Sequence, residues 1–215
     1  MGKIKQGILG AFSGTVATVV GSTWRGIVCM RGIATSHKDA NTPEQKAQRA
    51  RFGACGKFSN LIKTDIILPI WDKKAVEMTG SNLFLKTNQH CFDGEGNIVD
   101  YQNMKFSFGN LPLPENLVVE NNLAGNGAIK ITWTDNSGVG IAAPTDRLRL
   151  VTLTGNKPVV ITGITFTRGA SMASVQVPYG VGETVHVYAF FQDEKGSTCS
   201  DSFHTLVNIP SAPNP

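Results

Sequence analysis

His90 and Cys91 stand side by side, an imidazole next to a thiol. A structural zinc site needs a second such pair at short spacing, and none follows. Asp93-Gly-Glu95-Gly-Asn97 sets three oxygen-bearing side chains at alternate positions, as a calcium loop begins. The sixth and twelfth positions of that loop must be glycine and glutamate, and here they are Ile98 and Met104. The stretch therefore reads as a hairpin turn between Cys91-Phe92 and Ile98–Tyr101. Gly7-Ile8-Leu9-Gly10 is too short for a phosphate loop, and neither GxGxxG nor GxxxxGK[ST] occurs. His37 sits in a polar linker, and His186 lies on a strand face, where an imidazole is more often structural than catalytic. There is no GxSxG elbow and no carboxylate pair on one face. The expectation is a chain without catalytic residues, cofactor or metal, and so not an enzyme.

Two further sets could bind rather than react. Lys46, Arg49, Arg51, Lys57 and Lys63 could meet phosphates, although no aromatic residues interleave with them as on a single-strand platform. Residues 1–80 hold twelve Lys/Arg against five Asp/Glu, net +7, while the remainder is net −3. Nucleic acid is thus one candidate partner. Tyr179, Tyr188 or Trp133 could stack on a sugar, but Trp133 reads better as core. The cysteines, Cys29, Cys55, Cys91 and Cys199, have no close pair. They read as free thiols in a reducing compartment, with a Cys91–Cys199 bridge left open.

The elements that would carry these residues are legible in outline. Thr42, Pro43 and Gln45 open an amphipathic helix over Thr42–Leu61, through a capping box with proline at the first helical position. Ala47, Ala50, Ala54, Phe58, Leu61 and Ile62 draw one apolar stripe along it. Gly53 and Gly56 each weaken it by about 1 kcal/mol relative to alanine unless something packs closely there. Before it, residues 7–35 alternate glycine with Val, Thr and Ile, which predicts a hairpin of Gly14–Val20 and Trp24–Arg31 turning at Gly21–Thr23. Trp24, Val28 and Met30 then share one side, with Ile27, Cys29 and Arg31 on the other. After the helix, Pro69 in IILPIW forbids a straight continuation. A second helix is expected from about Thr79 or Ser81, ending by His90, with Phe58, Trp71, Leu83 and Phe84 as the shared core.

From residue 111 the pattern changes. LPLPENLVVE reads as a linker, and strands follow near 116–121, 128–134, 146–153, 158–165, 172–177, 184–192 and 198–208, separated by Gly-, Asn- and Asp-rich turns. Val185, Val187, Ala189 and Phe191 alternate with His186, Tyr188 and Phe190. Seven strands in some ninety residues predict a β-sandwich. The fold class is α+β: an N-terminal β-hairpin plus a small helical unit over residues 1–110, then an antiparallel sandwich over 111–215.

Residues 117–208 resemble a fibronectin type III or related Ig-like domain. Trp133 stands where that fold keeps its core tryptophan, and GETVHVYA at 182–189 followed by GSTCS at 196–200 resembles its last two strands. Val185 takes the place of the corner tyrosine, so the resemblance is to the sandwich class. The whole chain resembles an uncharacterised Bacteroidota family of unknown function. The residues that carry it are GTV at 14–16, VGSTWRG at 20–26, TPE at 42–44, QRARF at 48–52, MTGSN at 78–82 and TWTDNSG at 132–138. Shorter proteins with the same TPEQxAQRxRF helix look like phage or mobile-element components, which implies a structural role.

The function expected is that of a structural or interaction protein, a component of a larger assembly such as a phage-like virion. It would dock through Val16, Val20, Trp24, Ile27 and Val28 of the hairpin. Protein partners are expected, as a homo-oligomer or larger assembly, with the nucleic-acid and glycan readings as alternatives. No stretch approaches 18 apolar residues and no signal peptide is read at the start, which places synthesis in the cytoplasm with later incorporation into a particle.

Overall fold

Three antiparallel sheets and a short run of helices make up the described residues. A computed structural model describes residues 3–4, 10–34, 36, 39–121, 128–178 and 183–208. The first sheet has the order β1 (Lys3–Ile4), β2 (Phe12–Val16), β3 (Val19–Trp24) and β4 (Ile27–Gly32). It is a meander and not the single hairpin expected, and the predicted turn at Gly21–Thr23 lies inside β3. The reason is Gly21. A Cβ there would collide with the carbonyl oxygen and ring of Phe12, so the glycine serves close packing between strands. The chain reverses instead at Ala17-Thr18 and at Arg25-Gly26, where Arg25 and Gly26 both take positive φ, 47° and 85°.

The helix follows the sequence closely. α1 spans Pro43–Leu61; Thr42 Oγ1 accepts from Gln45 N, and Gln45 Oε1 accepts from Thr42 N, closing the capping box. Phe58 and Ile62 are buried, but Leu61 is 65% exposed. The stripe thus runs on through Ile62 and leaves out Leu61, and the winding changes just beyond it. Ile66 N and Ile67 N both bond to Ile62 O, and residues Lys63–Trp71 continue as a π-helix with Pro69 inside it. Pro69 thus does not end the helix. In an α-helix its ring would crowd the carbonyl four residues back, that of Asp65. That carbonyl accepts Arg149 Nη2 at 3.1 Å from a neighbouring strand. The turn α2 (Asp72–Lys74) and the helix α3 (Gly80–Asn88), capped by Thr79, complete the helical layer. Gly53 and Gly56 face open space and not a close neighbour, so α1 carries their cost without a packing return.

Seven strands follow: β5 (Glu115–Asn121), β6 (Ala128–Thr134), β7 (Arg147–Thr154), β8 (Lys157–Ile161), β9 (Met172–Gln176), β10 (Thr184–Gln192) and β11 (Phe203–Asn208). They form two antiparallel sheets, ordered β11-β10-β7-β8 and β5-β6-β9. Each overlaps a strand expected from the sequence, five of them to within a residue at either end, but β8 stops at Ile161 and not at residue 165. The last begins later, because Thr198, Cys199 and Ser200 wrap onto Asp193, Gln192 and Phe191 before continuous pairing starts.

Two hydrophobic clusters lie on opposite faces of β7 and β10. On one face Leu148, Leu150, Val185, Val187, Ala189 and Phe191 meet Ile129, Ile131, Trp133, Ala173 and Val175 of the three-stranded sheet. On the other, Val151, Leu153, Tyr188 and Phe190 meet Phe58, Ile62, Trp71, Phe84 and Phe106. The second set of alternating residues in β10 is therefore core as well. A strand buried on both faces must be apolar at nearly every position. The cluster beneath the helices crosses residue 110, drawing on both halves of the chain.

Candidate functional site

The five residues expected to dock lie on the first sheet, but not on one face. Residues directly opposed in an antiparallel pair point to the same side. Trp24 pairs with Ile27, and Gly21 with Met30, so Trp24, Ile27, Cys29 and Arg31 share one face while Val28 and Met30 lie on the other. This corrects the grouping of Trp24 with Val28: the two-residue turn at Arg25-Gly26 resets the alternation. Val19 and Val16 pair with each other, and Val20 pairs with Arg31. Val16, Val28 and Met30 are 47%, 54% and 68% exposed, and Trp24 is 45% exposed; Val20 and Ile27 are half-buried. None of these residues belongs to either hydrophobic cluster. The sheet is tied to the helical layer at the tip of its β3–β4 turn, where Arg25 donates to Met78 O and meets Asp72 Oδ1 at 3.3 Å.

The basic residues of the helix are partly committed elsewhere. Arg49 makes a bidentate pair with Asp39 at 2.7 Å to each oxygen, which lowers the Asp39 pKa. Arg51 Nε donates to Phe92 O at 2.9 Å. Lys46, Lys57 and Lys63 are exposed. A phosphate at Arg49 would have to displace a carboxylate first. Arg49 and Lys57 rim a groove of about 540 Å³ between α1 and the Asp93–Asn97 turn, with Gly53 on its wall. In that turn Asp93 Oδ1 accepts from Glu95 N and Asn97 N, and Phe92 pairs with Ile98, as in a hairpin. Among the described residues, no group of three or more His, Cys, Asp or Glu is placed to hold a metal ion.

Of the residues weighed for sugar stacking, Tyr188 is fully buried and Trp133 is 5% exposed, so neither offers a platform. Tyr179 lies outside the described residues. Trp133 Nε1 donates to Arg168 O at 2.7 Å, and its ring meets Phe191 edge-on. Burial pushes the Cys55 and Cys91 thiols up to about 12 and raises Cys199 too, so these three are protonated and poor nucleophiles. Cys29 alone among the four is exposed, and none is bridged.

Sequence spacing gave no sign of a histidine pair. His186 Nδ1 and His204 Nε2 lie 2.9 Å apart across β10 and β11, with the Tyr101 ring stacked on His186 at 3.8 Å and Tyr188 tilted against His204. One ring donates and the other accepts, so the contact requires at least one neutral imidazole. Burial holds both below the ordinary value of 6.5; His186 lowers His204 further, and Asp100 opposes this. A histidine whose pKa is lower in the folded than in the unfolded state favours folding fully above 6.5. That contribution is lost as pH falls from 6.5 toward the folded values. Urea midpoints should therefore fall between pH 7.5 and pH 5, and the fall should shrink in the double substitution His186→Phe and His204→Gln. An unchanged slope in that variant would assign the pH dependence to other groups.

Residues 11–205 match DUF6266, a family of unknown function. The chain belongs to this family. The match takes in the first sheet from its second strand, the helical layer and the later strands as far as the first half of β11. No curated protein matches the chain. Among solved structures, the FN1–FN3 domains of chicken CNTN1 are similar over 51% of this chain, at 10% identity and a TM-score of 0.34. The chain spans 38% of that structure's length. No helix among the described residues is long and apolar enough to cross a membrane.

Proposed function

We propose that this DUF6266 chain is a non-enzymatic structural component of a larger protein assembly, docking through its N-terminal sheet. One observation carries this reading: a four-stranded sheet whose two faces expose Val16, Val28, Met30 and Trp24, and which among the described residues contributes nothing to either core. Surface apolar residues in isolation are ordinary, but a cluster on an uncovered sheet marks an interaction surface. The seven later strands then serve as an Ig/fibronectin III-like sandwich that faces outward. A phage-like particle of a Bacteroidota host, loaded from the cytoplasm, is the setting that fits the chain's likeness to mobile-element proteins.

The test compares full-length protein with residues 41–215 by light scattering. The shorter chain retains both hydrophobic clusters and so carries its own core. Defined oligomers of the full-length protein and a monomer from the shorter chain are expected. Monomers from both would remove the assembly reading, and Lys46, Lys57 and Lys63 would make nucleic acid the next partner to test.

A further inference from the structure

We infer that the first sheet docks on a second copy of this chain, β4 pairing antiparallel with its mate about a two-fold axis at Cys29; this rests on the assembly reading above. The two edges of the sheet are unequal. Among the described residues β1 offers two, Lys3 and Ile4, whereas β4 offers six, Ile27–Gly32. Head-to-tail addition of β4 onto β1 would leave most of β4 uncovered, while β4 against β4 matches in length. β4 also lacks the devices that blunt an edge: it has no proline, no lysine and no bulge, and Arg31 is its one charge.

The hydrogen-bond parity of β4 decides the register. Ile33 N donates to Thr18 O at 2.8 Å, and Thr18 and Ile33 continue the pairing of Val19 with Gly32. In an antiparallel ladder, bonded pairs alternate with non-bonded ones. Ile27, Cys29 and Arg31 therefore bond inward to β3, and the N–H and C=O groups of Val28, Met30 and Gly32 point to the open edge. Two copies can exchange bonds only between those outward residues. Pairing Val28 with the mate's Met30 does so and places Cys29 opposite Cys29 of the mate. It also sets Arg31 against Ile27 and not against a second arginine. Val28 and Met30 then continue the apolar face that holds Val16 and Val19. The alternative, centred on Met30, sets Val28 against Gly32 and brings fewer apolar side chains together.

A five-residue strand edge covers less than the roughly 1,200 Å² at the lower limit of stable interfaces, so the pair is weak and concentration-dependent. Cys29 reports it without engineering. Opposed residues in a non-bonded pair have Cα atoms about 4.5 Å apart, within the disulfide range. Mild oxidation with diamide, which takes the two electrons and two protons of the paired thiols, should give a covalent dimer. Its yield should rise with protein concentration, and mass spectrometry should map the bridge to Cys29 in both copies. Met30→Pro removes a donor only on the open edge, leaving the β3–β4 ladder intact, and should slow the cross-link about tenfold or more, since it acts twice across a two-fold. Should that variant lose its circular dichroism signature, Val28→Lys tests the same edge without touching the backbone.

Oligomers by light scattering with no Cys29 bridge would overturn β4 pairing while leaving assembly through the sheet intact. A bridge formed as fast in these variants as in the unsubstituted protein would reflect mere thiol collision, and also overturn it. Monomers at every concentration would remove both readings.

Discussion

Replacing Arg168 by alanine is expected to lower the unfolding free energy by about 3–5 kcal/mol, the cost of leaving a buried charge without its partner. The Arg168 side chain is fully buried, and Asp146 beside it is 2% exposed. Arg168 Nε donates to Asp146 Oδ2 at 2.9 Å, Nη1 to Asn136 Oδ1 at 2.5 Å and Nη2 to Pro112 O at 2.9 Å, while the guanidinium lies 4.8 Å from the centre of the Phe191 ring. Its main chain joins in, N bonding to Asp146 O and O accepting Trp133 Nε1. One residue thus binds the linker at Pro112, the loop at Asn136 and Asp146, and the tryptophan of β6. Alanine would leave the buried Asp146 carboxylate without a cation, held only by the Ala143 N–H, and would take a donor from two part-buried acceptors. The double variant Arg168→Met with Asp146→Leu should recover much of the loss, because removing both charges removes the unpaired one as well. Urea titrations of the three proteins measure this. A loss under about 1 kcal/mol in the alanine variant would mean that water reaches the site and the network contributes little.

Nothing in the sequence marks Arg168. Burial of a charge depends on partners that come from distant segments, here residues 112, 136 and 146, and no local period encodes that. The histidine pair is hidden for the same reason, since it forms across two strands by register. What local rules govern was legible: the Thr42–Gln45 capping box, the start of the second helix near Thr79, the Asp93 turn and the existence, though not every end, of the seven later strands. The N-terminal meander failed on one residue. Gly21 looks like a turn and is in fact a strand position cleared for Phe12. The shift in face between Trp24 and Val28 followed from that error, because side-chain alternation restarts at each turn. The covering of β10 by helices had a sequence signal that could have been used. His186, Tyr188 and Phe190 are as apolar a set as an outward face rarely is, and such a strand is normally buried on both sides.

Trp71→Ala should cost about 3–5 kcal/mol, and should do so in one cooperative transition rather than by loosening the helices alone. Trp71 is fully buried at the end of the π-helix; its ring meets Phe84 and Phe108 edge-on, and its Nε1 donates to Phe106 O at 2.8 Å. Phe106 in turn lies against Tyr188 of β10, with ring centres 4.5 Å apart, and Tyr188 donates to Tyr101 O. Losing the indole opens a cavity and strands the Phe106 carbonyl, and both effects fall on a core that β7 and β10 share. Damage beneath the helices should therefore reach the sheets. The variant keeps Trp133, buried against Phe191 on the opposite face of β10, as a fluorescent reporter, so helix content by circular dichroism and the Trp133 environment can be followed in the same titration. Trp24 is exposed and contributes a signal that unfolding changes little. Coincident midpoints, shifted together, are expected of one cooperative unit. If the helical signal melts first and Trp133 holds, the helices and the seven strands are separate folding units, and the first sheet is carried by the weaker of the two.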